Sequence, residues 1–287
     1  MGRWLLAARV KTLPAAISPV ILGTALAYHD KSIHILIFSM TVLAAVLIQV
    51  GTNFANDVYD FEKGTDRTDR LGPQRATQSG LISPADMKKA MWKIFALAIG
   101  VGFYLTWIGG WPIVIIGLVS IAASLAYTGG PYPLGYHGFG DLFVFIFFGL
   151  IAVPGTYYLQ TESVTELSLW LGAIMGMLST AILVVNNLRD VDADIISGKK
   201  TLAVRFGKTF SKIQFILLVV LPFLLPFHLW REWNKMSFLL TLFTLPIAIH
   251  LIIRLFKNTG ADLNKVLAGT ARFLFIFMLL LSAGLII

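Results

Sequence analysis

The acidic residues of this chain are few and unevenly placed. Of 15 in 287 residues, Asp57, Asp60, Glu62, Asp66 and Asp69 fall in one short stretch, and Asp190, Asp192 and Asp194 in another. Residues 53–83 read NFANDVYDFEKGTDRTDRLGPQRATQSGLIS, and residues 186–205 read NNLRDVDADIISGKKTLAVR. Asn53, Asp57 and Asp60 stand at i, i+4 and i+7, Asn56 and Asp60 at i and i+4, and Asn186, Asp190 and Asp194 at i, i+4 and i+8. On helices each set shares one stripe. Two such stripes, face to face, offer hard oxygen donors. They suit magnesium, which takes a few carboxylates and fills its sphere with water and phosphate oxygens. No His or Cys accompanies either stripe, which argues against zinc. The chain has no Cys, which excludes disulfides and thiolate sites.

Cations follow the acids. Arg67, Arg70 and Arg75 come after the first group, and Lys199, Lys200 and Arg205 after the second. The planar guanidinium fork matches phosphate oxygens, and Lys acts as a point charge. Carboxylates for magnesium beside Arg and Lys for phosphate make a diphosphate site. For Arg67 and Lys208, topology alone is an equally good explanation. A third polar stretch, residues 127–141, reads YTGGPYPLGYHGFGD. Its glycines and prolines predict an ordered turn. Tyr127, Tyr132 and Tyr136 are candidates to stack on an aromatic substrate or face a cation, although tyrosines are also common at membrane interfaces. His137 is a candidate acid–base group, and Asp141 a candidate interfacial acid.

These residues have to be positioned by apolar elements. The chain is 57% hydrophobic and 13% charged, with mean hydropathy +0.78. A soluble domain carries about 25% charged residues. Apolar runs long enough to cross a bilayer recur, and helices are the solution that satisfies their backbone in lipid. The reading is an all-α, multi-pass transmembrane bundle forming one domain over residues 1–287. About nine spans are expected, near 12–29, 34–55, 90–108, 111–127, 139–159, 167–188, 213–230, 236–255 and 268–286. No small-residue cleavage pattern follows the first span, so it is expected to be retained.

All but three of the 23 Lys and Arg (Lys31, Arg231 and Lys235) fall at or near one set of alternating links. The positive-inside rule then places the N-terminus and both polar islands in the cytoplasm and the C-terminus outside. The net charge of +8 is accounted for by this topology, without a nucleic-acid partner. Pro14, Pro19, Pro154, Pro222, Pro226 and Pro246 lie in apolar runs and are expected to kink or unwind helices. The islands also echo one another: Asn53-x-x-x-Asp57 matches Asn186-x-x-x-Asp190, and Gly64 and Gly198 each follow an Asp by four. Spans 1–4 and 5–8 are therefore candidate parallel repeats, with span 9 extra.

The residues resemble the UbiA superfamily of intramembrane aromatic prenyltransferases. Asn56, Asp57 and Asp60 fit its N-D-x-x-D pattern. Asn186, Arg189, Asp190 and Asp194 fit N-x-x-R-D-x-x-x-D, followed by G-K-x-T-L-A-V-R-x-G over 198–207. Within it, the likeness is greatest to the branch that prenylates 1,4-dihydroxy-2-naphthoate. That likeness is carried by Gly64-Thr-Asp66, by Asp69-Arg70-x-Gly72-Pro73-x-Arg75, by Tyr127-Thr-Gly-Gly-Pro131 and by Arg9-Val-Lys-Thr-Leu-Pro14. Where many ubiquinone-branch members read Tyr-Pro-x-x-Lys, this chain has Tyr132-Pro133-Leu-Gly-Tyr136. The missing Lys shifts phosphate binding onto Arg70, Arg75 and Lys199.

The resemblance implies Mg2+ as cofactor, a polyprenyl diphosphate and an aromatic acceptor as substrates; the expected location is the cell (inner) membrane. The resemblance also implies Asp57, Asp60, Asp190 and Asp194 as catalytic metal ligands, with Asn53, Asn56, Asp66 and Asn186 beside them. Arg67, Arg70, Arg75, Arg189, Lys199 and Arg205 would bind diphosphate, and Tyr127, Tyr132 and Tyr136 the acceptor or an allylic cation. Other acceptors of the superfamily (4-hydroxybenzoate, chlorophyllide, haem, glyceryl phosphate) remain alternatives. An ion-coupled transporter is the alternative of another class, and it would place its acids near mid-membrane. The D-G-x-x-A-R signature of CDP-alcohol phosphotransferases is absent.

Overall fold

The fold was obtained as a computed structural model, which describes residues 2–66 and 71–287. Among the described residues there is no β-strand, and nine helices are long and apolar enough to cross a membrane. They are α1 (Gly2–His29), α2 (Ile35–Glu62), α3 (Pro84–Gly109), α4 (Trp111–Thr128), α5 (Gly140–Thr161), α6 (Glu166–Ile196), α7 (Leu202–Trp233), α8 (Met236–Lys257) and α9 (Gly260–Ile286). Their outer surface is apolar, with Trp107 87% exposed and Phe103, Trp111 and Phe243 also outward. A surface of this kind belongs in lipid, and the protein is a multi-pass membrane protein.

Every expected span is present, and several run further. Residues 1–11 were expected to be a link; instead α1 starts at Gly2, and Trp4 packs against Phe54 with ring centroids 5.8 Å apart. Arg9 adopts a left-handed conformation (φ 48°), and a single 3-10 turn, Val10–Thr12, follows it. Pro14 does not kink the helix. It sits in the first turn of the segment Leu13–His29, where its missing N–H costs nothing.

Other prolines do change the helical period. Pro222 lies in a 3-10 turn, Leu221–Phe223. Pro246 starts a segment after a 3-10 stretch, Met236–Thr244. Pro154 has no N–H to offer the Leu150 carbonyl, and the preceding Phe145–Ile151 widens into a π-helix.

α2 packs on α1, α3 and α4; α6 packs on α5, α7 and α9; and α1 joins the halves by packing on both α5 and α9. Under the pairing of spans 1–4 with 5–8, the α1 and α3 neighbours of α2 match the α5 and α7 neighbours of α6, while α4 and α9 do not correspond; the echo is most detailed at their polar ends. Those ends are built alike. Gly64 (φ 67°) and Gly198 (φ 75°) terminate the helices in the left-handed region that glycine enters most readily. In both, the N–H two residues beyond the C-cap bonds back to a carbonyl: Thr65 to Asp60 at 3.0 Å, Lys199 to Asp194 at 2.9 Å. Gly64 N–H also reaches Phe61 O, and Gly198 N–H reaches Ile195 O, completing a Schellman motif in each. The motif folds Thr65 back beside the Asp60 residue and Lys199 back beside Asp194.

α5 and α6 come together through glycines. A β-carbon on Gly176 would lie 2.6 Å from Phe145 O, and one on Gly149 would collide with Gly172 O. In lipid, where burial of apolar surface gives little drive, such close backbone approach supplies the packing.

Candidate active site

A cavity of about 1850 Å³ opens among the helices. One end is polar, lined by Asn56, Asp60, Asp66, Arg75, Asn186, Arg189, Asp190, Asp194 and Lys199. The remainder is largely apolar, with Phe103, Ile113, Leu118, Phe147, Phe148 and Phe275 in its wall. The π-helical segment supplies Phe147 and Phe148, so the widened turn faces the cavity.

Asp60 is the hub of the polar end. Its Oδ1 accepts hydrogen bonds from Tyr136 and from Thr65 Oγ1 (3.2 Å), and Lys199 Nζ lies 3.5 Å away. Its Oδ2 pairs with Arg75 Nη2 at 3.3 Å, while Arg75 Nε reaches Asp66 Oδ2 at 3.2 Å. Lys199 belongs to the second island, so this contact brings the two islands together. Tyr136 lies under Lys199 (4.4 Å to the ring centroid) and Lys63 (5.3 Å). Burial and the adjacent Asp60 push its phenol upward, so it remains a proton donor to the carboxylate at neutral pH.

On α6, Arg189 is 3% exposed and fully engaged. Its Nε donates to Asp190 Oδ1 (2.7 Å), Nη2 to Asp190 Oδ2 and to Asn186 Oδ1 (2.8 Å), and Nη1 to Asn264 Oδ1 (2.7 Å). Asn264 in turn donates to Leu71 O at 2.7 Å, tying α9 to the first island. The carboxylate of Asp194 takes no hydrogen bond among the described residues, and it sits within electrostatic reach of Lys199, Asp190 and Asp60.

The structure places several of the expected residues away from the cavity. Asn53 does not line the cavity: its amide donates to Ala8 O (2.9 Å) and Thr12 Oγ1 (3.1 Å) and accepts from Gln49, holding α1 against α2. Asp57 is 1% exposed and also faces elsewhere. Its oxygens accept the backbone N–H groups of Thr77 (2.8 Å) and Ala76 (3.1 Å), fixing the loop that carries Arg75. Arg205 donates to the carbonyls of Lys200 and His137, and Tyr132 stacks on His137; neither lines the cavity. His137 Nδ1 is spent on Pro133 O, and Asp141 accepts from Gln214 Nε2 at 3.1 Å. Tyr127 does line the cavity, packed where β-carbons on Gly135 or Gly140 would collide with it. Arg67 and Arg70 lie outside the described residues.

Sequence reasoning missed Asn264, Thr65 and the link from Tyr136 to Asp60. Nothing in their local spacing marks them, because each acts through a partner remote in sequence or through the Schellman fold-back.

Among the described residues, no three acidic or histidine side chains converge closely enough to cage a metal unaided. The donors still fit magnesium shared with a diphosphate. They are hard oxygens, Asp194 has no hydrogen bond of its own, and Arg75 Nη1 is buried with no hydrogen-bond partner among the described residues. Asn56 already accepts from Thr128 Oγ1 (3.0 Å), which orients its amide at the cavity wall.

Residues 16–284 match the model of the UbiA prenyltransferase family. A 1,4-dihydroxy-2-naphthoate octaprenyltransferase of Haemophilus influenzae is 34% identical, over 99% of this chain and 96% of its own length. The protein of that name from Mycobacterium tuberculosis is 38% identical over 79% of this chain and 78% of its own. Among solved structures, a UbiA homologue from Archaeoglobus fulgidus bound to GPP and Mg2+ shares the fold, with a TM-score of 0.68 at 14% identity, covering 98% of this chain and 99% of that one. The chain belongs to the UbiA prenyltransferase family.

Proposed function

We propose that this single-domain protein transfers a polyprenyl group from its diphosphate to 1,4-dihydroxy-2-naphthoate, with loss of CO2, giving demethylmenaquinol. The observation that carries the reading is the polar end of the cavity, where Asp60 meets Lys199 and both islands face one apolar chamber. The naphthoate relatives, at 34% and 38% identity over most of their length, support the acceptor.

The prenyl tail lies along the apolar wall and the diphosphate at the polar end. Asp60, Asp66 and Asn56 from one side, and Asp190, Asp194 and Asn186 from the other, would hold magnesium. When bound, the metal neutralises charge growing on the departing diphosphate. Arg75 and Lys199 add fixed positive charge at the same place. Both are paired with carboxylates in the structure, so they are already positioned before the diphosphate arrives.

As the allylic C–O bond breaks, the bonding pair leaves with the diphosphate. The electron-rich acceptor ring supplies the pair for the new C–C bond, and its carboxylate departs as CO2. Tyr127, Phe147 and Phe148 line the cavity with aromatic rings, a residue type suited to a transient carbocation. The apolar wall excludes water that would quench it. The acids gather at one end of the helices, not at their middle, which favours a prenyltransferase over an ion-coupled transporter. The charge distribution supports an inner-membrane topology with the polar end and N-terminus cytoplasmic and the C-terminus outside.

Purified protein, magnesium and a prenyl diphosphate, incubated with a panel of aromatic acceptors, test the assignment by product mass. The expected product is prenylated, decarboxylated naphthoquinol. Turnover of 4-hydroxybenzoate with none of the naphthoate would reject the acceptor while keeping the family chemistry.

A further inference from the structure

A second, smaller cavity lies apart from the polar end described above. It occupies about 310 Å³ between α8 and α9, near the end where the islands sit. Its walls are His250 and Arg254 from α8, facing Lys265 and Arg272 from α9, with Ile247 and Ile276 below them. His250 and Arg254 are one helical turn apart. Lys265, Gly269, Arg272 and Ile276 form one stripe at i, i+4, i+7 and i+11. A β-carbon on Gly269 would lie 2.6 Å from Leu251 Cδ2, so the two helices approach closely at that level.

The charge in this groove is one-sided. No acid lines it, and Asp262 makes only a long contact to Lys265 (3.7 Å). Among the described residues, neither Arg254 nor Arg272 has an ion pair or side-chain hydrogen bond. Topology alone explains basic residues at helix ends. Arg272, which the charge distribution counts with that end, sits deeper, about 14 Å along the helix from Leu263 at 1.5 Å per residue. An unpaired guanidinium at that depth is costly without an anion or water. Basic pockets between membrane helices, with apolar walls beneath, match lipid phosphate above an acyl chain.

We propose that this groove binds an anionic phospholipid, its phosphate held by Arg254, Lys265 and Arg272 and one acyl chain laid along Ile247 and Ile276. Arg272 and Ile276 also line the large cavity, so the bound lipid shares a wall with it.

The test uses the full chain reconstituted with equal phosphatidylglycerol and phosphatidylcholine, then examined by native mass spectrometry. Phosphatidylglycerol is expected to be retained preferentially. Arg254→Gln combined with Lys265→Gln, both at exposed positions, is expected to reduce that retention about 30-fold while prenyl transfer in zwitterionic micelles stays unchanged. Equal retention of the two lipids, or an undiminished preference in the double variant, overturns the proposal. Complete displacement of the lipid by millimolar inorganic phosphate would identify a free-anion site and also overturn it.

Discussion

Asp60→Asn and Asp190→Asn are each expected to lower kcat by about 10²–10³-fold, the scale of losing one preorganised electrostatic contact in a water-poor site. The two carboxylates stand on different helices and are held by different partners: Asp60 by Arg75, Tyr136, Thr65 and Lys199, Asp190 by Arg189. Asn preserves the volume and one acceptor oxygen, so folding in detergent should be retained. The loss should fall on kcat and kcat/KM together, as for an interaction made chiefly in the transition state. Steady-state kinetics at saturating magnesium check this. Normal turnover in either variant would remove that carboxylate from the chemistry.

Gly176→Val is expected to destabilise the fold by about 3 kcal/mol. The new β-carbon would lie 2.6 Å from the Phe145 carbonyl, and backbone cannot yield as a flexible side chain can. Because Phe145 opens the π-helical segment that carries Phe147 and Phe148 into the cavity, activity should fall in whatever protein still folds. Gly100→Val is the control, since a β-carbon there meets nothing within 4 Å. Unfolding in mixed micelles should separate the two variants clearly. Equal stability would mean that α5 and α6 are not in backbone contact at this point.

The nine apolar spans were readable from the sequence because hydrocarbon thickness fixes their length. Their ends were not. α2 and α6 continue as helix through the polar islands to Glu62 and Ile196, where hydropathy falls but backbone hydrogen bonding persists. The stripe on α2 was legible only in outline. At 3.6 residues per turn, Asn56 lies about 60° to one side of Asn53, and Asp57 about 40° to the other. Spacing alone cannot say which edge faces the cavity. The structure turns Asn56 and Asp60 toward it, Asn53 toward α1 and Asp57 toward the Ala76–Thr77 backbone.

The Gly64 and Gly198 echo was visible as spacing. Its meaning needed the backbone, which shows two Schellman ends folding Thr65 and Lys199 back beside an acid. Arg189 was expected to face phosphate, and its fork is taken by Asp190, Asn186 and Asn264. Asn264 stands 75 residues from Arg189, and no local pattern links them.

The central claim is that the two islands make one magnesium–diphosphate site. A binding cycle with a non-reactive prenyl thiodiphosphate measures it directly, taking the magnesium-dependent part of the affinity in wild type, Asp60→Asn, Asp190→Asn and the double variant. Residues acting through one site are strongly non-additive. Each single substitution should remove most of the magnesium-dependent affinity, and the double variant should lose little more. Fully additive losses, or an effect confined to one helix, would contradict the joint site.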